Sequence, residues 1–330
     1  MRLALIVTSV AGMDPTWTTI HLIHAAVAAG HTVRLAEPQD FEVTAAGRLV
    51  MRAWCLDHPI VDRIELTRRI THSELPRRYV DVGGCDRLLI RVNPLSADLV
   101  HYALLAQDAG VTVINDPMGL MRTRSKSWLA TLTDVPRPST LVSTSKASIQ
   151  AFAQNLGRKV VVKPVNASGG RGVALVSPME PERLEEAVDQ ARAHAHGGPV
   201  VVQEYLEEAP QGEKRLFWVD GALLGAYLRR PAEGEFRHNL KQGALPHATQ
   251  IDAADRRIAT ALSPHLLRAG IRIAGLDVIG GRLVEVNTLN PGGVHWSDAL
   301  GSAPPGAMAA QAIQLLTGPA PISEAPRPCP

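Results

Sequence analysis

Leu3–Val7 is an unbroken apolar run, and a chain can bury such a run only where both faces of a strand are covered, as in a parallel sheet with helices packed on it. The next segments keep that rhythm. Thr18–Ala29 carries Ile20, Ile23, Ala26 and Val27 at helical spacing and stops at Gly30, and Thr32–Ala36 reads as the next strand. Arg87–Arg91 is strand-like, Ser96–Ala109 is a helix with a serine start and a Gly110 stop, and Val111–Asn115 is again a strand. The alternation predicts an open, Rossmann-like α/β lobe of βαβ units over residues 1–118.

From Met118 the pattern changes. A basic helix over Leu120–Leu132 runs into Pro136 and Pro138, which impose extended backbone on the residues before them, and a lobe boundary is placed there. A small central α/β lobe, 119–206, is expected to contain strand Thr140–Val142, helix Ser145–Leu156, strand Lys159–Pro164, strand Val173–Val176, helix Pro181–Ala195 and strand Val200–Leu206. A mixed α/β lobe, 207–319, completes the chain's folded part. It has a hairpin Arg215–Tyr227 turning at Asp220-Gly221, a helix Asp252–Ala269, a hairpin Ile273–Asn287 turning at Gly280-Gly281 and a helix near Ala307–Leu316. The proline-rich stretch 320–330 reads as a tail.

A length of 330 residues suits two or three lobes around a cleft. With 34 basic and 32 acidic residues the formal charge is +2, so neither nucleic acid nor a membrane surface is expected as a partner, and small molecules are. Cys55, Cys85 and Cys329 lie too far apart in sequence for metal-ligand spacing and give no disulfide framework; a reducing, cytoplasmic setting is expected. The first apolar run lacks a cleavage site and reads as a buried strand, and no stretch approaches the roughly 20 apolar residues of a membrane-spanning helix.

Two segments carry chemistry. Lys163-Pro164-Val165-Asn166-Ala167-Ser168-Gly169-Gly170-Arg171-Gly172-Val173 ends a strand on a lysine and returns through a small-residue loop to another strand. Glycines there let backbone N–H groups approach polyphosphate oxygens beside an ammonium, although alone the segment also fits a plain hairpin turn. It is neither a Walker loop nor a dinucleotide fingerprint, because a strand rather than a helix comes after it. Asp277, Glu285 and Asn287 supply hard oxygen donors of the kind Mg²⁺ takes beside phosphates, although alone they also fit the polar face of an edge hairpin. A two-residue loop at Gly280-Gly281 would set Asp277 opposite Val284 on the other face. A bulged three-residue loop at Ile279–Gly281 aligns all three donors and is therefore expected. Gln203-Glu204-Tyr205-Leu206 ends an apolar strand where a hinge can offer backbone groups to a base.

In order, these segments resemble the bacterial glutathione synthetase family of the ATP-grasp superfamily over nearly the whole chain. The resemblance runs through Arg91-Val92-Asn93-Pro94, Asn115-Asp116-Pro117, Lys126, Lys163-Pro164, Ser168–Gly172, Gln203–Leu206, Glu213-Lys214-Arg215, Val219-Asp220-Gly221, Phe236–Leu240, Gly275–Gly280 and Glu285-Val286-Asn287. It implies an ATP-dependent carboxylate–amine ligase working through an acyl phosphate, with ATP and Mg²⁺ or Mn²⁺ as cofactors. Lys126, Lys163, the loop Ser168, Gly169, Gly170, Arg171 and Gly172, and the segment Gln203, Glu204, Tyr205 and Leu206 would hold ATP. Asp277, Glu285 and Asn287 would hold the metal, and Arg215, Arg237 and Asn239 would serve the transferring phosphoryl group. Arg91, Arg229, Lys241, Asn290, Gly292 and Gly293 are expected to contact substrate, and identical chains are expected to assemble.

The sequence departs from the family pattern at Leu240–His247 and at Thr288–Trp296, the loops expected to face the substrates. Another ATP-grasp ligase, of the D-alanine or glutamate-adding kind, and a non-catalytic ATP-binding protein therefore stay open. A nicotinamide enzyme would need a glycine fingerprint after the first strand, where the chain has Thr8-Ser9-Val10-Ala11-Gly12.

Overall fold

The computed structural model describes residues 1–60, 62–166, 172–232, 234–235 and 237–319, with Lys241 described by its main chain alone. Three sheets succeed one another along the chain. The first contains β1 (Arg2–Val7), β2 (Thr32–Ala36), β3 (Phe41–Val43), β4 (Leu49–Leu56), β5 (Arg77–Asp81), β6 (Arg87–Arg91) and β7 (Thr112–Ile114). Its order is β3-β4-β2-β1-β6-β7, with β5 added beside β4. Helices α1 (Thr18–Ala28), α2 (Arg63–Thr71) and α3 (Ala97–Asp108) lie between these strands in sequence.

The expectation of βαβ units holds for β1, β2, β6 and β7, which pair in parallel. It does not hold for β3, β4 and β5, which join antiparallel. The link from β2 to β4 is taken up by β3 and the turn after it rather than by a crossover helix, so the chain turns back on itself and pairs antiparallel.

The helix expected over Leu120–Leu132 is two, α4 (Pro117–Thr123) and α5 (Lys126–Ala130). Ser125 between them is extended and its hydroxyl accepts from Ser127 N–H, so it caps a new helix instead of continuing the old one. The break brings Lys126 N–H to the Val165 carbonyl at 3.3 Å, fastening α5 to the second sheet.

That second sheet, in the order β10-β9-β11-β8, is built from β8 (Thr140–Ser143), β9 (Val160–Pro164), β10 (Ala174–Val176) and β11 (Val200–Glu204), with α6 (Lys146–Leu156) and α7 (Pro181–His194) packed on it. Its core of Ile149, Val160, Val162, Leu184, Val188, Val200 and neighbours is separate from the others. The third sheet, order β14-β13-β12-β15-β16, contains β12 (Glu213–Val219), β13 (Ala222–Arg230), β14 (Leu245–His247), β15 (Ile273–Ile279) and β16 (Arg282–Asn287). With α8 (Ala253–Arg268), α9 (Val294–Leu300) and α10 (Ala307–Thr317) it shares two cores with the first sheet, one holding Leu88, Leu120, Trp218 and Leu262, the other Leu5, Ile23, Phe217 and Ile313.

One buried amide ties those two sheets together. Asn115, 2% exposed, donates to the carbonyls of Ile273 at 2.8 Å and Thr288 at 3.2 Å and accepts from the N–H groups of Arg272 at 2.8 Å and Ile273 at 2.9 Å. It thereby sets where β15 begins. Asn115→Ala leaves these groups unpaired in a dry interior and is expected to cost about 4 kcal/mol of stability, read as a fall in the denaturation midpoint; a loss below about 1 kcal/mol would contradict the tie.

Candidate active site

Between the second and third sheets lies an open cleft, lined from one side by Lys163 and Gln203 and from the other by Arg215, Asp277 and Glu285. One wall is a charged row written across β12, β15 and β16. Antiparallel register sets Arg215 opposite Asp277, and Asp277 opposite Glu285, with Asn287 two residues on along the same face.

The alignment of the three oxygen donors is as expected, but its cause differs. The loop of the β15–β16 hairpin is the two residues Gly280 and Gly281, both at positive φ, and Ile279 pairs with Arg282. The extra residue sits in the strand instead: Val278 pairs with Leu283 and Asp277 with Glu285, leaving Val284 as a β-bulge. Val284 packs with Tyr205, Leu206, Ala209 and Ile279 in a small apolar cluster. The bulge therefore lets two consecutive residues, Val284 and Glu285, line the same cleft.

Asp277 is 4% exposed, and its carboxylate is gripped from several sides. Arg215 Nη2 donates to it at 2.9 Å, Arg229 Nη2 lies 2.7 Å away, and Asn287 Nδ2 donates at 2.9 Å. Burial alone pushes the carboxyl pKa up, but the Arg215 and Arg229 guanidiniums outweigh it and hold the group well below the usual carboxylate range. Arg229 also pairs with Glu213, which faces His238 Nδ1 at 4.0 Å. Glu285 faces Lys126 Nζ at 3.3 Å.

On the opposite wall, Lys163 near the end of β9 is 8% exposed and donates to Gln203 Oε1 at 2.9 Å, and Gln203 in turn donates to Thr140 Oγ1 at 3.1 Å. Burial lowers the Lys163 pKa to about 8, with Glu285 pulling the other way. An ammonium held in this way is electrostatically undersatisfied and ready for anionic oxygens. Glu204 lines the cleft too, although its carboxylate is occupied by Arg158 at 3.1 Å, Arg282 at 3.2 Å and Ser139 N–H at 3.1 Å.

Of the residues singled out from the sequence, the cleft gathers Lys126, Lys163, Gln203, Glu204, Tyr205, Leu206, Arg215, Arg229, Arg237, Asn239, Asp277, Glu285 and Asn287. Ser168, Gly169, Gly170, Arg171 and the Lys241 side chain lie outside the described residues. Gly172, at φ +65°, packs against Pro164 and His194. Arg91, Asn290, Gly292 and Gly293 form a second group beside the first sheet. There Arg91 donates to the Pro291 carbonyl at 2.8 Å, and Gly293 N–H, read from sequence as a group for substrate, is taken by Thr18 Oγ1 at 3.0 Å. Sequence reasoning gave no role to Glu213 and His238, which line the cleft. For Glu213 the signal was its place opposite Arg229, which needs the hairpin register.

The oxygen donors fit a divalent ion that completes its shell with phosphate oxygens and water, because two carboxylates and an amide carbonyl are what such an ion ordinarily draws from protein. Among the described residues no cluster of three or more His, Cys, Asp or Glu side chains forms a self-sufficient metal cage.

The buried lysine makes a test of stability. Its pKa is about 8 in the folded chain against 10.5 in the unfolded one, so the charged form destabilises the fold fully below pH 8, and this penalty fades as pH rises to 10.5. Lys163→Met should therefore be more stable than the parent by about 2 kcal/mol at pH 7, with the advantage shrinking above pH 8. Urea denaturation at pH 7 and 9.5 reads this directly, and a less stable variant at pH 7 would contradict the undersatisfied ammonium.

Comparison with known proteins places these features. The N-terminal domain of prokaryotic glutathione synthetase matches residues 1–121, and its ATP-grasp domain matches residues 126–300. The glutathione synthetase of Synechococcus elongatus is 32% identical over 325 residues, covering 96% of this chain and 99% of that one. That of Parasynechococcus marenigrum is 33% identical over 314 residues, covering 91% and 93%. Among solved structures, D-cycloserine synthetase DcsG superposes with a TM-score of 0.67 at 19% identity over 96% of this chain and 100% of that one. D-alanyl-alanine synthetase A from Vibrio cholerae gives 0.58 at 14% identity over 96% and 99%. Likeness at such identities establishes the fold. No described helix is long and apolar enough to cross a membrane. With its family matched over residues 1–121 and 126–300, the chain belongs to the prokaryotic glutathione synthetases, ATP-grasp enzymes that use ATP and a divalent metal to join small-molecule carboxylates to amines.

Proposed function

We propose that this ligase joins the cysteinyl carboxylate of γ-glutamylcysteine to the amino group of glycine. The observation that carries the reading is the row Arg215–Asp277–Glu285 facing Lys163 across one cleft, beside the apolar cluster of Leu206, Ala209, Ile279 and Val284. Apolar side chains continuous with a charged row in one cleft suit a base continuous with a polyphosphate.

In this reading adenine lies against those apolar side chains. The N–H groups of Glu204 and Tyr205 are spent on the carbonyls of Ser139 and Lys159, at 2.8 and 3.0 Å, so the hinge amide assigned to the base is that of Leu206. Lys126 and Lys163 take phosphate oxygens, with the 168–172 loop above them. Asp277, Glu285 and Asn287 hold the metal, for which Mg²⁺ fits the hard oxygen set, with Mn²⁺ as a substitute. When bound, the ion neutralises charge on the β- and γ-phosphates.

The donor carboxylate attacks the γ-phosphorus, the bond to the bridging oxygen breaks, and ADP leaves. The amine nitrogen then attacks the acyl carbon, and phosphate departs carrying one donor oxygen, while the amine sheds its surplus proton. Arg215, Arg229, Arg237 and Asn239 stabilise the developing negative charge, and no protein nucleophile is required. Arg91, Lys241, Asn290, Gly292 and Gly293 border the substrates. Residues 1–118, 119–206 and 207–319 act as lobes, the central one as a lid with its own core, and 320–330 as a tail. A cytoplasmic location and assembly of identical chains complete the reading.

Phosphate release with Mg²⁺ and ATP, screened over dipeptides and amines, should be greatest for γ-glutamylcysteine with glycine; a larger rate with a D-amino-acid pair would replace this substrate assignment. Glu285→Gln should lower kcat by about 100-fold or more with the fold retained, and a wild-type rate would remove the metal assignment. Asp277→Asn is the less clean variant, since it leaves Arg215 and Arg229 buried without their carboxylate.

A further inference from the structure

The cleft holds two lysines that the protein satisfies differently. Lys126 faces the Glu285 carboxylate at 3.3 Å, so a negative charge answers its own. Lys163 gives one of its three hydrogens to the neutral Gln203 Oε1 at 2.9 Å. An amide oxygen accepts a hydrogen without cancelling the charge, so two N–H groups and the positive charge stay available to the cleft.

Gln203 can do this in only one of its two amide orientations. Turned over, it would present its NH₂ group to the ammonium, and two donors would meet in a buried place. The contact that decides between them lies one strand further from Lys163. Gln203 Nε2 is 3.1 Å from Thr140 Oγ1, and Thr140 Oγ1 is 2.9 Å from the Pro138 carbonyl. A carbonyl can only accept, so the single hydrogen of the Thr140 hydroxyl is spent on Pro138, and only a lone pair remains for Gln203. The nitrogen end of the amide must therefore face Thr140, and the oxygen end must face Lys163.

Strand register sets up this row. Thr140 on β8 lies directly across from Gln203 on β11, and Val201, two residues before Gln203, lies across from Lys163 on β9. Cross-strand partners share a face, as do residues two apart, so the three side chains form a diagonal on one face of the second sheet. Lys163 and Gln203 line the cleft. Thr140 borders the small pocket behind it, beside Trp128 and Val286. It can act on a nucleotide in the cleft only through Gln203 and Lys163.

Lys163, a donor on every side, favours the same amide orientation, but phosphate competes for it. Once the ammonium turns to anionic oxygens, Thr140 is the contact that still keeps the amide from turning over. The Pro138 carbonyl at the start of the row is itself well fixed. Arg137 Nη1 donates to it at 3.3 Å, the Pro136 carbonyl accepts from Leu283 N–H of the third sheet at 2.8 Å, and Ser139 N–H donates to Glu204 Oε2 at 3.1 Å.

We propose that Thr140 is a positioning residue for ATP: its hydroxyl holds the Gln203 amide with the oxygen toward Lys163, so that the ammonium is presented to the phosphates with its charge uncompensated. The inference rests on the ligase reading above, which sets phosphate at Lys163, and adds to it a residue that touches no substrate.

The test uses the full chain with Thr140→Val, Thr140→Ser, Lys163→Met and the double variant Thr140→Val with Lys163→Met. Valine keeps the branched shape that suits a strand and loses only the hydroxyl. Expected in Thr140→Val is a loss of about tenfold in affinity for a non-hydrolysable ATP analogue with Mg²⁺ and a matching rise in the KM for ATP, with the KM values of the other substrates unchanged and Thr140→Ser within about twofold of the parent. In the Lys163→Met background Thr140→Val should cost no further affinity. Lysine labelled with ¹³C at Cε gives a second readout in the nucleotide-free protein, because the chain has six lysines and Lys163→Met assigns the signal. Losing an acceptor for the charged form should move the titration midpoint of Lys163 to lower pH in Thr140→Val and not in Thr140→Ser.

An equal loss of affinity from Thr140→Val with and without Lys163, a serine variant as weak as the valine one, or a midpoint that Thr140→Val leaves in place overturns the proposal. Failure of the ligase reading shows separately. If Lys163→Met binds nucleotide as the parent does, the phosphate role of Lys163 falls, and the midpoint alone decides the amide: a shift to lower pH keeps Thr140 as the residue that orients it, and no shift overturns that too.

Discussion

A carboxylate buried between two guanidiniums organises the catalytic half of this molecule. Asp277 would be intolerable in the apolar strand Ile273–Ile279 without Arg215 and Arg229, and neither arginine would be stable in its place without Asp277. The grouping fixes register as well as charge. Arg215 lies directly across from Asp277 and Glu213 directly across from Arg229, so a slip of one residue in either pairing would part the buried charges from their partners. The charged wall of the cleft, which we propose meets phosphate, is in this way specified by the same contacts that hold the sheet together.

The rest of the fold presents that wall to a partner surface that is built separately. The first and third sheets share their cores and are locked by Asn115, whereas the second sheet has a core of its own. Lys163 belongs to that second body and meets the charged row only across the cleft. Separate cores with a shared cleft are what a grasping fold needs, because the two walls can approach without either being repacked.

Much of this was legible in the sequence, and the parts that were not have physical causes. Continuous apolar runs such as Leu3–Val7 announce buried strands, and Asp277, Glu285 and Asn287 announce oxygen chemistry by residue type and spacing. The bulge at Val284 could not be read, because it is chosen by the apolar cluster it joins from the second sheet's end, a contact remote in sequence. The antiparallel strands β3–β5 were missed because β4 carries little alternation, its one exposed position being Arg52. Ser125 was passed over inside a basic helical pattern, although serine is as good a helix start as it is a poor interior residue. Arg91 was visible as a motif residue, but that its buried Nη1 finds no hydrogen-bond partner among the described residues appears only in three dimensions.

Activation of the donor carboxylate by a phosphoryl group leaves an isotopic record. With the donor carboxylate labelled in both oxygens with ¹⁸O, each turnover should deliver one labelled oxygen to inorganic phosphate and leave the other in the new amide. Phosphate released free of label while amide forms would mean that no donor oxygen was ever bonded to phosphorus, and would contradict the account.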